Sequence, residues 1–300
     1  MTSSQDKTLP FQETLRWSKI TSLRAGKGKV LVCRPKTSDD LAALLQAQVA
    51  GQIPPLHPLG AGTNMLGYDD NHPLAMVRLA AAGQFAAIEP LGNGLFRIGA
   101  AALLGRTLEK LASDGYGGCA GLSGIPGTVG GALAMNAGAN GQEIAETVRS
   151  LEGLDLATGQ LWAWQVGQGG WGYRQSPVPR QVLLTGAVLE FQAVSPQEEE
   201  RKIRQEWQRR QRVTPRGASA GSVFRNPPET SAGRVLEQAG CKGLQSGIYC
   251  VSQQHANWIV NETYGEGLAE DCLILLREMQ RRVQESCGIL LEPEWRRPAR

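Results

Sequence analysis

Histidine is scarce in this chain: three in 300 residues, and His57, His72 and His255 lie far apart. The six cysteines (Cys33, Cys119, Cys241, Cys250, Cys272, Cys287) are equally dispersed, with no C-x-x-C pair. No metal-ligand spacing can be assembled from such neighbours, so no metal site is expected. No apolar run approaches the length that spans a bilayer, which argues against membrane insertion. The G-x-S-x-G nucleophile elbow is missing. A net charge of +3 is too small to call for a nucleic-acid partner. With no signal peptide and dispersed, buried-looking cysteines, the chain reads as a reduced cytoplasmic protein. Residues 1–10 are polar and expected to fray.

Glycine, by contrast, is abundant and placed with a pattern. Residues 121–139 hold six glycines and a proline, threaded by Ile125, Val129, Leu133 and Met135. Glycine accepts positive φ and lets another group touch the backbone, at an entropic cost. Successive exposed N–H groups in tight turns form a concavity suited to phosphate oxygens. A second glycine turn, residues 58–66, follows an apolar run. It has Gly60-x-Gly62 but Met65 where a dinucleotide fingerprint needs its third glycine, which disfavours a Rossmann domain. Two such loops on one chain point to a large pyrophosphate-bearing cofactor.

The periodicity predicts an α+β chain. Residues 29–34 read as a strand, followed by N-cap chemistry at 37–40, a helix carrying Leu41, Leu44 and Leu45, and Gly51 as its stop. Residues 53–59 read as a second strand, giving a small βαβ-like unit. Short strands with glycine turns fill 76–100, a helix 103–114, a hairpin about Thr158-Gly159 148–166, and a strand 181–194. Ser195-Pro196 marks a boundary, dividing the chain into 20–195 and 196–300. A charged helix over 197–212 reads as a solvated face, and 268–285 is an amphipathic helix ended by Gly288. Residues 289–291 return as a short strand.

Few side chains outside the glycine loops suggest chemistry. Ser222 follows a glycine in a constrained turn, but no histidine or carboxylate lies nearby in sequence to make it a nucleophile. A neutral hydroxyl can still protonate a strong carbanion or enolate held beside it. Arg174 and Glu294 supply a guanidinium and a carboxylate. His255 reads as a hydrogen-bonded structural histidine and Lys242 as a solvated charge.

Together, residues 58–66, 124–141, 172–176, 220–227, 232–243, 255–261 and 292–294 resemble, in order and spacing, the MurB family of UDP-N-acetylenolpyruvoylglucosamine reductases. The resemblance runs from about Arg24 to Arg297. The short interval from Lys242 to His255 is similar to the subtype that lacks a substrate-covering tyrosine loop. The resemblance implies an FAD-binding domain of the PCMH or vanillyl-alcohol-oxidase type over 20–195, and a smaller α+β substrate-binding domain over 196–300. FAD would be noncovalent and NADPH the reductant. The substrate would be UDP-N-acetylglucosamine enolpyruvate, reduced to UDP-N-acetylmuramate in peptidoglycan precursor synthesis.

It also implies site residues. In the first loop Gly60, Ala61, Gly62, Thr63, Asn64 and Met65 would hold FAD. In the second segment Gly124, Ile125, Pro126, Gly127 and Thr128 would do so, with Gly130, Gly131, Ala132, Asn136 and Gly138 beyond them. Ser222 matches the proton donor, and Arg174 and Glu294 the pair that holds and polarises the enolpyruvyl carboxylate. Tyr173 and Asn226 match substrate positions. The chain departs from the family pattern at residues 24–28 and 70–73, at Asn140, at Thr63 in place of serine, and at Arg225 in place of lysine. Two other readings remain. One is another FAD-linked oxidoreductase of the same superfold, acting on an alcohol or sugar, for which Cys119 is the nearest covalent attachment point. The other is a non-catalytic flavin-fold protein.

Overall fold

The structure, a computed structural model, describes residues 12–299; the expectation for residues 1–10 lies outside them. Six helices are labelled here: α1 (Ser38–Val49), α2 (Leu104–Ser113), α3 (Val129–Ala134), α4 (Pro196–Val213), α5 (Ala232–Gln238) and α6 (Ala269–Cys287).

A four-stranded sheet opens the chain, in the order Gln12–Arg16, Lys29–Cys33, Ala75–Val77, Leu56–Pro58. The Thr37 hydroxyl caps α1 by accepting from the Asp40 N–H at 3.1 Å, and Gly51 (φ +67°) follows the helix end. The βαβ-like unit is present with a difference. Ala75–Val77 inserts between its two strands, pairing in parallel with both. The strand expected over 53–59 shortens to Leu56–Pro58, because Pro54 and Pro55 have no N–H for the ladder.

The second sheet is antiparallel, in the order Leu161–Gln165, Val148–Asp155, Val182–Glu190, Leu95–Gly99, Ile88–Gly92. Asn93 (φ +51°) and Gly94 (φ +78°) make the tight hairpin turn the sequence announces. A large core about Ile98, Leu133, Leu151 and Leu189 joins this sheet to α2 and α3. α4 starts where Ser195 caps it and Pro196 takes the first position. It packs on α2 and on the turn Ala120–Leu122, so it lies against this core, not the following one.

The last unit is a three-stranded sheet (Gln245–Ser246, Tyr249–Val251, Ile259–Val260) covered by α5 and α6. Cys272, Leu275, Leu276, Met279 and Val283 form the expected buried stripe of α6, and Gly288 (φ +69°) ends the helix. The short strand expected over 289–291 is absent. Only beyond it does the chain pair, in single bridges of Pro293 with Phe224 and of Arg296 with Met65, since Pro293 cannot donate to a continuous ladder.

The first and last units are joined by a cap in trans. Leu268, at the N-cap of α6, offers no side-chain acceptor. Instead the Asp69 carboxylate accepts from Ala269 N–H and Glu270 N–H, both at 2.9 Å, and from Lys27 N–H at 3.1 Å. Asp69→Ala is expected to destabilise the protein by about 1–2 kcal/mol in denaturant unfolding, the usual range for a lost N-cap; an unchanged midpoint would remove this coupling role. The departure at residues 24–28 also sits at this junction. Arg24 (φ +60°) lies over the Tyr264 ring at 5.9 Å, and Gly26 N–H donates to the Gly267 carbonyl at 3.0 Å.

Candidate active site

The two glycine loops face each other. Thr63 Oγ1 donates to the Pro126 carbonyl at 3.2 Å. A Cβ on Gly60 would come within 3.1 Å of Thr128 Oγ1, and one on Gly127 (φ +129°) within 3.1 Å of Thr63 Oγ1. Gly62 and Gly130 are needed for another reason: their Cβ atoms would strike Ile20 O at 2.0 Å and Ala100 Cβ at 2.8 Å, so both serve packing. Among the described residues, none of the N–H groups of residues 60–64 donates to the protein. Gly60, Ala61, Thr63, Asn64, Met65, Gly124, Ile125, Pro126, Gly127, Thr128 and Gly131 are all at least partly exposed. A floor of small residues with a run of free N–H donors fits a pyrophosphate-bearing cofactor such as FAD. Ala132, Asn136 and Gly138 are buried.

Asn136 is turned wholly into the protein. Its amide donates to Glu143 Oε2 at 2.6 Å and to the Gly172 carbonyl at 2.9 Å, and its oxygen accepts from Ala145 N–H at 3.2 Å. The side chain therefore holds the turn at 172–175. Arg174 occupies that turn with φ +53°. Its Nε donates to Glu294 Oε1 at 3.1 Å, its Nη2 to the Gly138 carbonyl at 2.9 Å, and its guanidinium lies over the Tyr173 ring at 5.0 Å. Arg174 thus spans the second glycine segment and Glu294, which are far apart in sequence.

Ser222 lies in a segment, outside any strand, that runs beside Glu294. It bridges Trp258, and the next residue's carbonyl, Val223 O, accepts from Glu294 N–H at 2.8 Å. Gly221 (φ +74°) makes the turn before it. Asn257, only 3% exposed, pins this segment: its oxygen accepts from Phe224 N–H at 2.9 Å and its amide donates to Phe224 O at 2.8 Å. The first loop joins too, since Asn64 Nδ2 donates to the Glu294 carbonyl at 3.1 Å. Tyr173 is exposed, and its hydroxyl accepts from Asn226 N–H at 3.3 Å. The Asn226 side-chain oxygen accepts from Ala232 N–H at 3.0 Å, at the start of α5.

Burial raises the Glu294 carboxyl above its usual range, while Arg174 and Arg225 pull it back. The charged face expected on α4 is not solvated throughout. Arg210 packs against Gly124, and its proton affinity falls chiefly through burial, with Arg209 and Arg174 adding to the fall. Arg296, which burial likewise perturbs, donates to the Ala134 carbonyl at 3.1 Å. Arginines outnumber carboxylates around Arg174 and Glu294, so this region suits an anion. Asn257, Arg210 and Arg296 were missed in the sequence. Asn257 at least lies inside a motif segment, whereas nothing in the spacing marks the inward turn of Arg210.

Outside this cleft the readings are simpler. His255 Nδ1 accepts from Asn257 N–H at 3.2 Å, and Lys242 pairs with Glu237 at 2.5 Å. Asn140, a departure from the family pattern, meets Glu206 and Arg209 of α4. Cys119 is buried, 8% exposed, and burial pushes its thiol up to about 12. Among the described residues no His, Cys, Asp and Glu cluster could hold a metal, and no helix is long and apolar enough to cross a membrane.

Comparison with known proteins agrees with this geometry. Residues 30–163 match an FAD binding domain, and residues 212–297 match the C-terminal domain of UDP-N-acetylenolpyruvoylglucosamine reductase. The reductase of Syntrophotalea carbinolica is 36% identical over 279 residues, covering 92% of this chain and 90% of that protein. That of Myxococcus xanthus is 34% identical over 93% of this chain and 89% of its own length. The crystal structure of the Thermus caldophilus enzyme (MurB) superposes with a TM-score of 0.80 at 33% identity, covering 95% of this chain and 98% of that one. With a free-donor glycine cradle, an Arg174–Glu294 pair beside Ser222 and relatives alike over nearly their whole length, the chain belongs to the UDP-N-acetylenolpyruvoylglucosamine reductase family.

Proposed function

We propose that the protein is an FAD-dependent oxidoreductase that uses NADPH to reduce UDP-N-acetylglucosamine enolpyruvate to UDP-N-acetylmuramate, in the cytoplasm. The observation that carries this is the Arg174–Glu294 pair, at 3.1 Å, held between the glycine loops and the Ser222 segment. Residues 20–195 would bind the cofactor and 196–300 the UDP sugar. When bound, FAD supplies the hydride, taken from NADPH. The chain's own groups bind, orient and move protons.

Arg174 offsets the negative charge that gathers on the enolpyruvyl carboxylate as the double bond is reduced, in a cleft of low dielectric. Glu294 meets that carboxylate across the same guanidinium. Two carboxylates sharing one cation cannot both stay ionised without repulsion, and burial already favours the protonated form. With the substrate carboxylate also on that guanidinium, a proton held by Glu294 would be donated as a hydrogen bond to the substrate carboxylate. The Ser222 hydroxyl gives its proton to C2, where the carbanion character lies.

A sign follows for pH. Glu294 is protonated below its raised pKa, so the sugar-reducing step weakens as pH rises through that value. Glu294→Gln keeps a neutral donor and has no proton to lose; it is expected to retain measurable activity with this basic limb gone. A limb that persists in the Gln variant would assign it to another group. The function itself is tested by oxidation of NADPH that depends on the enolpyruvyl sugar, with the product heavier by two hydrogens. NADPH oxidation indifferent to the sugar would favour another flavin oxidoreductase.

A further inference from the structure

Arg225 lies next to the Arg174–Glu294 pair. Its Nη2 donates to the Arg174 carbonyl at 3.3 Å, and its charge acts on Glu294. At its other end Nη1 lies 3.7 Å from Glu292 Oε2, a carboxylate whose side chain is 76% exposed. Its Nε is buried without a hydrogen-bond partner. A part-exposed guanidinium, its side chain 34% exposed and its Nε unpaired, adds little stability of its own. Its place needs another reason.

The Arg174 turn supplies one. A non-glycine residue in the left-handed region is held there only by its surroundings. Gly172 and Gln175 exchange backbone bonds at 3.1 and 2.9 Å, and Asn136 holds the Gly172 carbonyl, so the ends of the turn are fixed. The Arg174 carbonyl, at the strained residue itself, has the Arg225 guanidinium as its partner. Arg225 in turn is set by the ladder: its N–H donates to the Glu292 carbonyl at 2.9 Å, beside the Phe224–Pro293 bridge.

We propose that Arg225 is a positioning residue for reduction of the enolpyruvyl sugar, pinning the Arg174 carbonyl so that the left-handed turn presents the Arg174 guanidinium to Glu294 and to the substrate carboxylate. The proposal rests on the reading of the site given above. The charged groups facing Glu294 are Arg174 from the turn and Arg225 from the segment after Ser222. The first glycine loop faces it with the uncharged Asn64 amide, and Arg210 of α4 acts on Arg174. Loss of Arg225 therefore removes both a hydrogen bond and one of two positive fields. Lysine keeps the field but lacks the planar fork that reaches the carbonyl and Glu292 together.

The test uses the FAD-loaded full chain and its Arg225→Met and Arg225→Lys variants, at saturating NADPH. Arg225→Met is expected to raise KM for the enolpyruvyl sugar about tenfold, as for a lost charge-assisted bond. It should also move the basic limb of kcat/KM to higher pH, because a charge that lowers the proton affinity of Glu294 is gone. Arg225→Lys should leave the limb in place and raise KM by only about threefold. A Met variant with an unmoved limb and wild-type KM overturns the proposal; lower thermal stability alone would mark a purely structural residue and overturn it too. If Arg225→Met does not fold, a wild-type KM in Arg225→Lys overturns it and a raised one supports it. Failure of the broader reading looks different: the wild-type protein would then show no sugar-dependent NADPH oxidation.

Discussion

Ser222→Ala is expected to remain a yellow, folded protein whose flavin bleaches with NADPH, yet to reduce the enolpyruvyl sugar about 10³-fold more slowly, within the range for a lost general acid. The side chain removed is small and partly exposed, and the segment around it is pinned by Asn257 and the Glu294 N–H, so the backbone should not move. No histidine neighbours Ser222 in sequence to stand in as donor. Stopped-flow absorbance separates the two half-reactions, and the defect should fall wholly on the second. Full turnover in this variant would sink the proton-donor role.

Arg174→Met should lower kcat/KM for the sugar by about 10³-fold, the scale for removing a preorganised charge-stabilising donor. Arg174→Lys should recover only part of this. A lysine ammonium cannot bond Glu294 and the Gly138 carbonyl with the same fork geometry. Because Arg174 also ties the turn to the second glycine segment, flavin retention should be measured in both variants. Equal losses in flavin content and turnover would place the residue in cofactor binding; turnover lost with flavin kept is the expected result.

How much of this was legible in the sequence depends on what each feature required. The α6 stripe could be read because a 3.6-residue period is a local pattern. The Asn93-Gly94 hairpin could be read because its turn needs particular residues at particular places. The glycine loops drew notice through composition, but their mutual contact through Thr63 and Pro126 is a long-range fact. Resemblance supplied Arg174, Glu294 and Ser222 as a set. No spacing along the chain shows that a left-handed turn at 174 reaches a carboxylate 120 positions away. The run 53–59 is cut short by Pro54 and Pro55, and the apolar run 289–291 finds no strand partner. The charged face of α4 hid Arg210 because helical charge patterns do not say which arginine turns inward. Asn136, expected at the cofactor, holds the Arg174 turn through Glu143 and Gly172.

The most direct test of the account is an anaerobic one. The purified protein is bleached with a single equivalent of NADPH, and UDP-N-acetylglucosamine enolpyruvate is then added while flavin absorbance is followed. Rapid return of the oxidised spectrum on adding the sugar, and not on adding the same sugar without its enolpyruvyl group, is the predicted result. A flavin that stays bleached with both sugars would contradict the assignment of the Arg174, Glu294 and Ser222 cleft as an enolpyruvyl-reducing site.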